Sequence, residues 1–384
     1  MRRRSHALAA AIVVLSLITA GAVGAPRSPK RVATVTVSKV GGLGQIEVHG
    51  KLAAVNQRDE GIVALLDLSN PARPKVVGRF DAAEEGGHIS SGSAPLDGDL
   101  AFSADGRYLF YARQTTDYSE EGLHVLDVSN PTDPNEVFYQ PQGGMLRVAY
   151  YHDGSSQWVV TLDAIAGLVV SRFIPETGAV APVHVDPLPA TKVGGPASAG
   201  VVIDPNDPLA ERPLMFVTTG RTGLQVFDLS DPAAPQELGS WSEVGLADLE
   251  VVTSKKRRLV YAASEYWFDR TANQVRPEIV VLDATDPAAI KRVATLSLGV
   301  EPAAETRVQG IDMIGSRLYA AHSGEGLVVF DVRRRKVLGR FKDPGPMNDA
   351  AAAPGAPYAI DVEATGRRLL VSDGATGRIT VLRP

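Results

Sequence analysis

Gly122-Leu-His-Val-Leu-Asp-Val-Ser-Asn-Pro131 runs an apolar strand into an aspartate, a hydroxyl and a proline turn. The chain writes this stretch several times. Near copies are Gly61-Ile-Val-Ala-Leu-Leu-Asp-Leu-Ser-Asn-Pro71, Gly223-Leu-Gln-Val-Phe-Asp-Leu-Ser-Asp-Pro232 and Glu278-Ile-Val-Val-Leu-Asp-Ala-Thr-Asp-Pro287. Weaker copies begin at Gly167, Gly326 and Gly377. The starts are separated by about 53 residues on average, and a fixed period near that length signals a propeller or a solenoid.

Outward from the repeat, each period holds the same parts. In the sixth, Val308-Gln-Gly-Ile-Asp-Met-Ile314 reads as an inner strand that ends in a Gly-Ser turn. Arg317-Leu-Tyr-Ala-Ala-His322, Gly326-Leu-Val-Val-Phe-Asp331 and Lys336-Val-Leu-Gly-Arg-Phe341 read as the second, third and fourth strands. Short runs of Val, Leu, Ile and Tyr broken by Gly, Pro, Asn and Asp are strands and hairpins, and no helix-period stretch of useful length interrupts them. Four antiparallel strands make one propeller blade. The blades are expected at about 45–80, 97–140, 145–185, 199–241, 246–298 and 308–342. The seventh offers Tyr358-Ala-Ile-Asp-Val362, Arg368-Leu-Leu-Val-Ser372 and Arg378-Ile-Thr-Val-Leu382, one strand short. The missing strand is predicted at the other end, where Arg31-Val-Ala-Thr-Val-Thr-Val-Ser38 alternates apolar and polar and has no partner of its own. Closing the ring with it removes an unpaired edge. The expected fold is therefore an all-β, seven-bladed propeller over 31–384.

The Gly-Leu-x-Val-x-Asp-Val/Leu-Ser-Asn/Asp-Pro-x-x-Pro pattern, followed by Val-x-x-Phe/Tyr, resembles the LVIVD-repeat family of β-propellers. The resemblance is strongest in blades one, two and four and good in blade five. Blade three departs from it, with Ser171-Arg172 in place of the Asp and Pro175-Glu-Thr-Gly178 as its turn. Blade six lacks the Ser-Asn-Pro, and blade seven is more similar to the YVTN type of repeat. The resemblance implies an exported or surface-associated propeller and implies no single activity.

The first residues carry a different message. Arg2-Arg3-Arg4, the apolar run Ala7 to Ile18 and Ala20-Gly-Ala22 make the three-part pattern of a secretory signal, so 1–25 is expected to be a signal peptide. The alternative is an N-terminal anchor, because Ala7 to Ala25 carries no charge. Either way the domain is expected outside the cytoplasm. The chain has no cysteine, which excludes thiolate nucleophiles, iron–sulfur clusters, cysteine zinc sites and covalent haem. Without Arg2, Arg3 and Arg4 the basic residues fall from 39 to 36 against 44 acidic ones, a net charge of −8 rather than −5. That balance argues against nucleic acid and anionic membranes as partners. No cofactor motif is present, and the expected partner is a protein or a small molecule.

Asp67, Asp127, Asp228, Asp283 and Asp331 recur at one place and invite a metal or catalytic reading. Each ends a third strand before a turn, where a short carboxylate accepts turn amides, and each lies in a different blade. Such residues build blades and do not converge. Function is then expected where the periods differ, on the face that carries the loops between strands two and three and between blades. Two loops there are long. The first, Asp81 to Leu96, holds His88 near Glu84 and Glu85, either a ligand or base or a solvated histidine. The second, Ser264 to Pro277, holds Tyr266 and Trp267, either interface anchors or local core. At the ring mouth, His322, Arg113, Arg221 and Asp373 end second strands, and together they form a candidate site for an anionic or sugar-like ligand. Three functions fit: a binding module using the loop face, an enzyme (hydrolase, lyase or quinone-type dehydrogenase) with its site at the mouth, and a structural envelope protein.

Overall fold

The computed structural model describes residues 28–39, 42–57, 61–82, 95–115, 122–163, 165–186, 199–219, 222–242, 245–264, 278–298, 308–323, 325–342 and 359–384. They form seven four-stranded antiparallel sheets. Blade one joins Leu43–His49, Leu52–Gln57, Ile62–Asp67 and Lys75–Asp81 from the inside outward. Blades two to six repeat that order over 95–141, 145–186, 199–241, 246–297 and 308–341. Blade seven takes Ala359–Thr365, Arg368–Asp373 and Arg378–Arg383 from the C-terminal end and Lys30–Thr36 from the N-terminal end. Each inner strand packs beside the inner strand of the next blade, blade seven beside blade one, so the ring closes. Among the described residues the one helical element is a 3-10 turn at Pro287–Ala289.

The closing strand runs antiparallel to the last one, from Lys30 opposite Arg383 to Thr36 opposite Arg378. It is shorter than the sequence suggests. The Val37 and Ser38 amides leave the ladder and both donate to the Gly377 carbonyl, at 2.8 and 3.0 Å. The chain then turns inward to start blade one.

Packing explains the sequence pattern. Second and third strands lie between two neighbouring blades and are covered on both faces, so they read as near-continuous apolar runs, as parallel strands covered on both sides do. Val63, Ala64, Leu65 and Leu66 are all buried. The apolar side chains sort into seven clusters, one at each seam between blades, and each seam forms a small core of its own. His124 belongs to this packing: its ring lies against Phe80, Tyr111 and Tyr139, and its Nδ1 sits 2.5 Å from Glu136 Oε1.

The repeated polar residues serve turns. Five of the repeat's opening glycines, Gly61, Gly167, Gly223, Gly326 and Gly377, have φ between +63° and +90°, a region that an L side chain rarely enters. The repeated aspartates cap the following turn. Asp67 Oδ1 accepts the Ser69 amide at 2.7 Å, Asp228 Oδ1 that of Ser230 at 2.8 Å, and Asp331 Oδ1 those of Arg333 and Arg334 at 3.0 and 2.9 Å. Asp127 and Asp283 accept both the amide and the hydroxyl two residues on. Their second oxygens face arginines at the start of strand two, Arg107–Asp127 at 3.0 Å and Arg257–Asp283 at 3.0 Å. The Asn or Asp before the proline repeats the device: Asn70 Oδ1 accepts the Ala72 amide, and Asp231 Oδ1 that of Ala233.

Candidate functional site

His88, Arg221, Tyr266 and Trp267 lie outside the described residues. His322 and Asp373 end the second strands of blades six and seven, and Arg113 lies two residues before the end of that of blade two, at the same position of the repeat. Each is engaged within its own surroundings. Asp373 Oδ1 accepts the amides of Ala375 and Thr376, both at 2.8 Å. His322 is fully buried, and its Nδ1 accepts the Glu325 amide at 3.2 Å. Burial pushes its imidazole down to about 4, so the ring is neutral near pH 7. Arg113 is also buried, with its guanidinium against Gly61 of the preceding blade. Asp163 and Thr219 hold the same position in blades three and four and likewise accept turn amides. In blades three, four, six and seven the position is that of an acceptor for the turn between strands two and three, whereas in blade two it holds a guanidinium, which only donates.

A different set of side chains does converge. On the ring axis lies a cavity of about 360 Å³ lined by all seven inner strands. Blades one and two send Glu47 and Asp99 into it, blade five sends Asp248 and Glu250, blade six Asp312, and blade seven Asp361 and Glu363. Against these seven carboxylates stands one cation, Arg147 of blade three. Blade four contributes Gly200, Val201 and Val202, with no polar side chain.

Four of the carboxylates also join blades. Asp361 Oδ2 accepts the Ile46 amide at 2.9 Å, Asp99 Oδ2 that of Val148 at 2.8 Å, and Asp248 Oδ2 that of Ile311 at 2.8 Å. Asp312 Oδ2 accepts the Ala364 amide. Each bond crosses to the inner strand of the next blade, and the last three in ring order, from Asp248, Asp312 and Asp361, tie blades five, six, seven and one in succession. Glu47, Glu250 and Glu363 share the cavity with them.

The crowding has an electrostatic consequence. Burial pushes the Glu47 carboxyl up to about 8, with Asp99, Asp361 and Asp312 adding repulsion. Asp361 is raised to about 8 by burial and by the charges of Asp248 and Asp99. Asp99 and Asp312 rise to about 6, again mainly by burial, with Arg147 holding Asp99 back. Asp248, Glu250 and Glu363 are also raised by burial, Glu363 further by Glu47 and its other neighbours. Near pH 7 part of this set holds protons, because so many anions cannot ionise together beside one arginine. Chemically the axis is a store of protons and an acceptor for cations. Among the described residues no group of three or more His, Asp or Glu has a metal-binding arrangement.

The signal for this site was in the sequence. Inner strands alternate apolar and acidic residues, as in Leu246-Ala-Asp-Leu-Glu-Val251 and Ile360-Asp-Val-Glu-Ala364, and a period of two puts every acid of a strand on one face.

Comparison with known proteins agrees with this architecture. The LVIVD repeat model matches residues 41–82, 103–139 and 215–242. No curated protein matches the sequence. Among solved structures, the fold is similar to the β-propeller domain of Myceliophteria thermophila Cps50 (Swd1), at 13% identity and a TM-score of 0.60, over 93% of this chain and 100% of that one. It is similar to Saccharomyces cerevisiae Sqt1 at 8% identity and a TM-score of 0.56, over 93% and 99% of the two chains. Chaetomium thermophilum Raptor gives 12% identity and a TM-score of 0.58 over 92% of this chain and 29% of that one. Likenesses at such identities concern the fold alone. The chain is a seven-bladed β-propeller that carries LVIVD repeats in three stretches, in blades one, two and four.

Proposed function

We propose that the protein is an exported binding module that engages its partner over the loop-bearing face of the ring, with a cationic group of the partner directed to the axis. The observation that carries this reading is the axial cavity, where seven carboxylates and one arginine meet. Those residues are not part of the repeat, and a cavity lined by one sign of charge concentrates ligands of the other. Export is inferred from Arg2-Arg3-Arg4 and the apolar run that follows. The partner's remaining contacts are assigned to the loop face, with His88, Tyr266 and Trp267 on the long loops and Arg221 beside them.

Calorimetric titration of the full chain with spermidine tests the axial part. Protons must leave before a cation binds, so affinity is expected to rise between about pH 6 and pH 8, the span of the raised carboxyls. The exchange Glu47→Gln/Glu363→Gln should weaken binding about tenfold or more, roughly 1.4 kcal/mol. Equal affinity in the variant, or an affinity that falls with rising pH, would defeat the proposal.

A further inference from the structure

We infer that the seam between blades seven and one, on the face opposite the loops, carries a second binding site, for an organic anion with an apolar body. This goes beyond the function proposed above and does not depend on it.

In two other seams the turn between strands three and four packs its backbone directly on a glycine of the preceding outer strand. A Cβ added at Gly78 would collide with the Pro131 carbonyl, and one at Gly239 with the Pro287 carbonyl. Both glycines follow a bulge in the outer strand, Gly78 opposite Leu65 and Gly239 opposite Val226. At the ring-closing seam the outer strand comes from the N-terminal end. There the equivalent residue is Ala33, opposite Val381 and just past the bulge at Val32. Its methyl does not admit the contact that glycine allows. The Asn70-Pro71 turn of blade one instead borders an open cavity of about 980 Å³.

The cavity has two chemical zones. Leu68, Leu370 and Val381 are buried beneath it and form an apolar floor, flanked by Ile314. Lys51, Arg367, Arg368 and Arg383 stand exposed around it. The lining holds no Asp or Glu, although the whole chain carries a net charge of −5. None of the four cations forms an ion pair among the described residues. Asp67 lies within electrostatic reach of Lys51, and the three arginines leave an excess of positive charge over the apolar floor that attracts an anion. The matching ligand has a carboxylate or phosphate head for the arginine forks and an aliphatic or aromatic body for the floor. The volume is at the upper end of the roughly 300–1,000 Å³ that small-molecule sites occupy.

Calorimetric titration of the full chain with dodecanoate and with dodecyl phosphate, below micelle formation, tests the site. Both are expected to bind, with dodecanol and dodecylamine at least about tenfold weaker. Arg368→Gln/Arg383→Gln changes two exposed side chains, so the variant should fold, and it should weaken both anions about tenfold or more. Glu47→Gln/Glu363→Gln, on the axis, should leave them unchanged. A parallel arm adds phosphatidylglycerol vesicles and measures co-sedimentation. Binding of the alcohol as tight as that of the anions, insensitivity to the arginine changes, or capture by vesicles without binding of the free anions would each overturn the inference.

Discussion

A chain that begins at Val37, lacking Lys30–Thr36, is expected to lose most of the stability of the domain, of which folded proteins have about 5–15 kcal/mol in all, and to self-associate. The strand removed supplies every ladder partner of the outward edge of 378–383. Val32, Ala33 and Val35 also pack on the cluster that holds Leu370, Ile379 and Val381 to blade one. Without them a long apolar strand is left with a free edge, which invites pairing with another copy. Thermal unfolding and light scattering after gel filtration would read both effects. A synthetic peptide spanning 28–38 should restore a monomer with a raised midpoint, because the vacant edge accepts a strand in trans. A shortened chain that stays monomeric with an unchanged midpoint would show that blade seven closes in another way.

The second large effect is expected at Arg258. This guanidinium is buried between blades four and five, and its Nε donates to Asp207 Oδ2 at 2.6 Å. Its Nη1 donates to the Ala284 carbonyl at 2.8 Å, and the group lies over the Phe216 ring. Asp207 is equally buried, and its other oxygen accepts the Leu209 and Ala210 amides at 2.9 and 2.7 Å. Truncation by Arg258→Ala strands a buried carboxylate and should cost about 3–5 kcal/mol in denaturant unfolding. Replacing both partners, Arg258→Met/Asp207→Asn, should cost less than the sum of the single changes, with a coupling of up to about 3 kcal/mol. A loss under about 1 kcal/mol for Arg258→Ala would mean the pair is solvated in solution.

Asp207 shows where the sequence stops being legible. Asp204-Pro-Asn-Asp-Pro208 reads as an ordinary turn, but 204–207 form the irregular end of the strand Ala199–Asp207 and the turn begins at Pro208. Nothing near it indicates that its second acid, Asp207, meets an arginine 51 residues later, across a seam. The fold itself was open to reading because the second and third strands are covered on both sides and their turns need Gly, Asp and Pro at fixed places. Those demands are local, so they recur in every period. The closing strand was also readable, because blade seven came out one strand short.

The axial site was legible only in part. Blades five and seven alternate apolar and acidic residues, but Glu47 and Asp312 are each the single acid of their strand, and only closure brings them beside the others. His322 and Asp373 stand out by residue type at the ends of second strands. The structure gives their acceptors to turn amides. Ala33 is a third case: its importance is a matter of register against Val381, between strands from opposite ends of the chain.

The axial carboxyls of Glu47 and Asp361 hold protons near neutrality. Their native values lie above the ordinary carboxylate range, so the folded chain binds protons that the unfolded chain has released. Stability contributed by these groups is present below about pH 4.5, the ordinary value for Glu47, and is lost as pH rises toward about 8. The most direct measurement is the infrared absorption of protonated carboxyl groups, followed by pH titration of the full chain and of Glu47→Gln/Asp361→Asn. A protonated-carboxyl band that persists at neutral pH, fades around pH 8 and is diminished in the variant is the predicted result. Complete loss of that band by about pH 5, as for ordinary carboxyls, would contradict the claim.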